Sequence, residues 1–264
     1  MDTVFQMALR IFYKRKHFKS QISKELRMKP TTHHWKSPSL GKKMELSEFG
    51  TAGTPVIIFP SEEGGRDEWN EAGIMQAVEE QIEEEYNHFF CINSVAEESL
   101  LNKEVEPNKR IRRQMQYEQY VIDEVIPFIR NKNSNPFMIF SGAFLGAYYA
   151  MLFALKYPKM VNKVIGISGT YDIKPYLDGH YDDNVYYNNP VDFVPNLNDP
   201  SILKDISDID IRLLSFSNDP QRAESERMSD TLWLKNLDHN FYVWDEVISD
   251  PWKLVDSMFI EHLF

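Results

Sequence analysis

The sequence predicts an α/β chain, a mostly parallel, doubly wound sheet with helices on both faces. Several short, continuous apolar runs recur along it, the pattern of strands buried on both sides. Stretches of helical pattern separate these runs from residue 68 onward. The length of 264 residues, 42% hydrophobic and 26% charged, suits one large domain.

In chain order, strands are expected at KKMELSEF (around 43–49), PVIIFP (55–60), HFFCINS, PFMIFS, KVIGISG, IRLLSFS and NFYVWDEV. Helices are expected over EWNEAGIMQAVEEQIEEEY, NKRIRRQMQYEQYVIDEVIPFIRNK, AYYAMLFALKYP and a segment around ERMSDTLWLKN. Residues 171–200 break the alternation. They are rich in Asp, Asn, Tyr and Pro without periodicity, so a long excursion is expected there, a lid over the site or a purely structural detour. Ligands of such a sheet bind beyond the carboxyl ends of its strands.

Residues 1–30 stand apart as a basic, helical N-terminal arm, with residues 31–264 as the single domain. The arm holds eight Lys/Arg against two acids. The net charge of −11 is therefore +6 in the arm and −17 in the body. So acidic a body repels nucleic acid, and no nucleic-acid role is expected. Val4, Ala8, Ile11, Phe12, Phe18, Ile22 and Leu26 roughly form a helical stripe between the arm's basic residues. Three readings stay open: a membrane-surface or partner-binding helix, an arm packed on the domain or on a second subunit, and translation starting at Met28. A homodimer with one arm across its neighbour fits the charge asymmetry. The lone Cys91, in an apolar run, reads as a core residue in a reducing compartment. No apolar run approaches 18 residues and no signal-like leader is seen, so a cytoplasmic location is expected.

The stretch SGAFLGAYYA (141–150) joins a strand to a helix with glycines at 142 and 146, the spacing of a strand-to-helix elbow that presents a nucleophile. Several segments in order, HWKSPSLGKKMEL, FPSEEGGR, CINSVAEES, QYEQYVIDEVIPFI, GAFLGAYYAMLFALKYP, VIGISGTYDIKPYLDG and DDNVYYNNPVDFVPNL, resemble the esterase branch of the α/β-hydrolase superfamily. This is the group of esterase D and the mycolyltransferases, and the resemblance covers roughly residues 34–264. It implies an α/β-hydrolase fold and a nucleophile–acid–histidine triad with an oxyanion hole.

Carried over position by position, the nucleophile falls on Phe144 and the acid on Asp219, within SNDPQ. The histidine falls on Ser249 in VISDPWKL, with Trp252 nearby. A benzyl group forms no acyl intermediate, and losing serine or histidine from such a unit costs on the order of 10⁶ in kcat. The resemblance therefore implies a degenerate triad and a non-catalytic binding or scaffolding protein. The alternative is a serine-type carboxylesterase with a displaced nucleophile, for which Ser141 is the nearest hydroxyl. Phe144 is expected to keep the strained elbow and fill the old pocket with its ring.

Ligand-pocket candidates are Ser61, Gly64 and Gly65 in the oxyanion-side loop, Leu145 after the elbow, and His180 and Tyr186 in the excursion. A small molecule in the vestigial pocket is the expected ligand. Tyr181, Tyr186 and Tyr187, with Asn188 and Asn189, could line a cleft or pack in a lid. The acids Glu62, Glu63, Asp67, Glu68 and Glu71 offer a conceivable carboxylate or cation site, or simply a solvated loop. His239 and His262 are expected away from the site. Without HExxH, CxxC, P-loop or GxGxxG patterns, neither a metal nor a cofactor is expected.

Overall fold

The computed structural model describes residues 29–62, 64–247 and 250–263. The expectations for the arm up to Met28, and for Glu63 and Ser249, lie outside the described residues.

Eight strands form one sheet in the order β1-β2-β4-β3-β5-β6-β7-β8. They are β1 (Thr31–Lys36), β2 (Lys43–Phe49), β3 (Thr54–Phe59), β4 (Asn87–Ile92), β5 (Ile139–Ala143), β6 (Lys163–Ile167), β7 (Asp210–Phe216) and β8 (Asn240–Trp244). Strands β3 to β8 run parallel, while β2 is antiparallel to both β1 and β4. Every residue of β4, β5 and β6 is buried, which is why these strands read as unbroken apolar runs. The sequence reading misses β1. Its TTHHWK is polar and half exposed, as suits an edge strand with one wet face.

The helices are α1 (Glu68–Glu71), α2 (Ile74–Ala77), α3 (Glu79–Glu83), α4 (Pro107–Tyr120), α5 (Ile126–Lys132), α6 (Leu145–Lys156), α7 (Asp183–Tyr187), α8 (Pro190–Phe193), α9 (Pro200–Ser207), α10 (Arg222–Trp233) and α11 (Trp252–Leu263). The single helix expected over 68–86 is three short ones, because the backbone turns left-handed at Gly73 (φ 88°) and leaves the helical region at Val78 (φ −103°, ψ 19°). Helix α4 continues through a π turn (Val121–Val125) into α5. Residues 171–200 are more ordered than expected, holding α7, α8 and two 3₁₀ turns, Lys174–Tyr176 and Val194–Asn196.

Two apolar cores lie against the sheet. One packs α4, α6 and α10 with the inner residues of the excursion. The other packs α1, α2 and α11 with Phe49, Ile58, Phe89 and Ile165. Helix α6 is buried on all sides apart from Lys156, so its sequence carries no polar stripe.

A polar network closes the amino ends of the strands. Glu48 accepts hydrogen bonds from His33 Nε2 and from His88 Nε2 (2.9 Å), with Lys132 Nζ 3.6 Å away. The Asn133 amide lies 3.1 Å from His88 Nδ1, and an amide N–H only donates, so the His88 proton sits on Nε2. Burial holds His88 below the usual histidine range, against the pull of Glu48. Burial also opposes ionisation of Glu48, but its histidine hydrogen bonds and the Lys132 charge outweigh it and hold the carboxyl low. Both groups take up protons more readily unfolded than folded. Their contribution is full at neutral pH and is lost as pH falls below about 6.5 for His88 and then through the carboxylate range for Glu48. The urea midpoint is therefore expected to drop on acidification, and His88→Gln, which keeps an N–H for Glu48, to flatten the upper part of that drop.

Candidate functional site

The parallel strands deliver three features to their carboxyl ends: the elbow after β5, the loop after β3 and the turn after β7. At the elbow, Phe144 has φ 57° and ψ −118°, a conformation that costs a bulky residue about 1–3 kcal/mol. Its N–H donates to Ile167 O (2.9 Å), and its carbonyl accepts from Ala147 N (3.1 Å) and Thr170 N (3.2 Å). The flanking glycines make the turn sterically allowed. A Cβ on Gly142 would stand 2.3 Å from the Gly146 carbonyl carbon, and one on Gly146 would stand 2.4 Å from Phe59 O. The Phe144 ring is buried (8% exposed) and meets Trp252 edge to face, with centroids 5.6 Å apart. The strained backbone and the filled position thus coexist.

Asp219 follows β7 and is buried. Its Oδ1 accepts from Ser168 Oγ (2.6 Å) and Gln221 N (2.8 Å), and its Oδ2 accepts from Ser215 Oγ (2.7 Å). Burial pushes its pKa up, and the two serine hydrogen bonds only partly offset this. Ser168, at the end of β6, itself has a positive φ of 49°. The carboxylate is therefore held by inward-facing donors from two neighbouring strands.

In the loop after β3, Glu68 turns back on Ser61. The Ser61 N–H donates to Glu68 Oε2 (2.9 Å) and its hydroxyl donates to Oε1. The Glu68 carboxylate packs where a Gly64 side chain would be, 2.2 Å from the ideal Cβ position. Arg66 is fixed by Ser47 (2.6 Å), Asp67 (3.0 Å) and Asn93, which accepts its N–H (2.9 Å). Because Ser61 is fully buried, Glu68→Ala strands two donors and is expected to cost about 1–3 kcal/mol in a denaturant titration. Glu68→Gln should lose less.

The family model described as "Putative esterase" matches residues 52–261. The chain belongs to that family. No curated protein matches this family member by sequence. Among solved structures it is similar to a ferulic acid esterase at TM-score 0.70 and 14% identity, covering 89% of this chain and 96% of that one. An S-formylglutathione hydrolase from Agrobacterium tumefaciens aligns at TM-score 0.67 and 11% identity, covering 93% and 96%. A CE1 ferulic acid esterase from Anaeromyces mucronatus aligns at TM-score 0.65 and 11% identity, covering 92% and 93%. The fold is that of an α/β-hydrolase.

Other expected positions of this esterase-family chain take different places. Ser141 is fully buried within β5, and its hydroxyl donates to Ile165 O (3.0 Å), so it points into the sheet packing. The Leu145 side chain is fully buried in the core beside the elbow. Gly65 lies beside Asn93, with Oδ1 3.0 Å from an ideal Cβ. His180 Nε2 lies 3.2 Å from Asp182, the residue that caps α7. Tyr186 packs partly buried against the core and edge to face on Tyr187.

Of the two readings of the excursion's asparagines, cleft lining or lid packing, their hydrogen bonds fit packing that pins the excursion. Asn189 accepts from Ile173 N (2.9 Å) and donates to Asp172 (3.0 Å) and Asp192 (2.7 Å). The Asn188 carbonyl accepts from Tyr148 (2.9 Å). His239 bonds Ser229 (2.7 Å) ahead of β8, and His262 is buried in α11 with its pKa lowered by burial and then by Arg212. Among the described residues, no group of three His, Cys, Asp or Glu has metal-binding geometry. No helix of the described residues is long and apolar enough to cross a membrane.

The sequence reading misses Ser168, Ser215 and Glu68 as partners within the site. Ser168 directly follows β6 and Ser215 is the last residue but one of β7, a weak signal. Glu68, read as part of a carboxylate or cation site or of a solvated loop, carried none.

Proposed function

We propose that this chain is an esterase-fold binding protein that does not turn over esters by a serine mechanism. The observation that carries this reading is Phe144 on a fully formed elbow, with its ring buried against Trp252. A substrate carbonyl brought to that point meets a hydrocarbon ring with no lone pair to attack it. Two further features support the reading. Asp219 already accepts three hydrogen bonds, none of them from a histidine. Ser61, in the loop that builds half of the oxyanion hole in such enzymes, gives its N–H and its hydroxyl to Glu68. The elbow and its glycines, at the carboxyl ends of the strands, support retained recognition of a small molecule there.

Hydrolysis of short-chain aryl esters by the purified protein tests this. Turnover equal to that of the Phe144→Ala and Ser141→Ala variants and of buffer is expected. Wild-type turnover that disappears with Ser141→Ala would establish the displaced-nucleophile alternative instead.

A further inference from the structure

We infer that the free edge of β8 is a self-association surface, pairing antiparallel with β8 of a second copy of this chain across a two-fold axis. Among the described residues, strand β8 ends the sheet, with β7 on one side only. Ser217 N donates to Trp244 O (3.0 Å), so Trp244 turns its peptide groups toward β7. In a parallel ladder the groups alternate by residue, so Asn240 and Tyr242 also face β7. Phe241 and Val243 therefore turn N–H and C=O outward.

That arrangement is self-complementary. A two-fold axis at Tyr242 sets Phe241 of one copy against Val243 of the other as a hydrogen-bonded pair, twice over, giving four backbone bonds. Tyr242 meets Tyr242 of the second copy as the close, non-hydrogen-bonded pair between them.

Nothing in the strand opposes this pairing. NFYVW has no charge, no proline and no bulge, the devices that normally protect an edge. Asp245, which directly follows the strand, is held by the Ser217 hydroxyl (3.0 Å), and Asp238 and Glu246 lie in the flanking loops beyond the ladder. The surroundings add apolar area. Trp233 (55% exposed) and Leu234 (72%) end α10 ahead of β8, and Val247 (78%) follows it. The two-fold brings the start of one β8 to the end of the other, placing Trp233 and Leu234 against Val247 of the second copy. Tyr242 (38% exposed) and Val243 (37%) add apolar surface on the two opposite faces of the edge. An uncharged edge with outward backbone groups at Phe241 and Val243, flanked by exposed apolar side chains, fits a second copy.

Sedimentation velocity of the full chain at micromolar concentration is expected to give a dimer. Val243→Pro removes an outward N–H and leaves the β7 ladder whole, so a folded monomer is expected. Tyr242→Cys places two thiols across the axis and should give an intermolecular disulfide under mild oxidation, since native Cys91 is buried. A monomeric wild type, a dimer that survives Val243→Pro (as an arm-mediated dimer would), or no disulfide-linked dimer from Tyr242→Cys would each overturn the inference.

Discussion

Gly146→Ala is expected to lower stability by about 3–5 kcal/mol, a large fraction of the 5–15 kcal/mol that holds a typical domain together. The added Cβ would stand 2.4 Å from Phe59 O and 2.9 Å from Pro60 O. Both are backbone atoms at the end of a central strand, so neither can swing aside as a side chain would. Gly65→Ala is the matching control, because its Cβ meets only the Asn93 side chain, at 3.0 Å. Urea midpoints for the two variants check the claim. A Gly146→Ala protein as stable as Gly65→Ala would mean that helix α6 does not sit as close to β3 as described.

Asp219→Ala is expected to cost roughly 2–4 kcal/mol, because the Ser168 and Ser215 hydroxyls and the Gln221 N–H would lose their acceptor. Asp219→Asn should cost less, since its carbonyl still accepts from part of the set. The pH dependence separates Asp219 from the Glu48 network. A carboxyl whose folded pKa is raised adds stability below the unfolded value and loses it as pH rises through the folded one. The Asn variant should therefore lose most relative to wild type in acid and least at neutral pH. The reverse ordering would show that Asp219 is held mainly by attraction rather than by burial.

The legible parts of this protein are those that local chemistry decides. Strands β3 to β6 bury both faces, so PVIIF, HFFCI and KVIGI read as strands without any knowledge of their neighbours. The elbow was legible because Gly142 and Gly146 answer to steric demands at fixed chain spacing. β1 was not, since one partner and one wet face leave TTHHWK with no apolar signal. The inner contacts of the site were hidden for a different reason. Ser168 and Asp219 are 51 residues apart, and their 2.6 Å contact exists only because β6 and β7 are neighbours. Glu68 looked solvated because it lies in a run of acids, whereas its position is set by the buried donors of Ser61.

The excursion illustrates a middle case. Its length and composition announced a departure from the alternating pattern, but not the salt-bridged core that orders it. Lys174 bonds Asp192 (2.7 Å) and Arg227 of α10 bonds Asp172 (2.6 Å), tying residues 172–192 to a helix more than thirty positions later. Such contacts link residues whose types alone are ambiguous.

The central claim is that this esterase-family chain carries no activated serine. Its most direct test is intact-mass spectrometry of the native protein after exposure to a fluorophosphonate, which adds covalently to an activated serine. The account predicts no mass increase for wild type. A stoichiometric adduct on any serine, lost when that serine is changed to alanine, would contradict it.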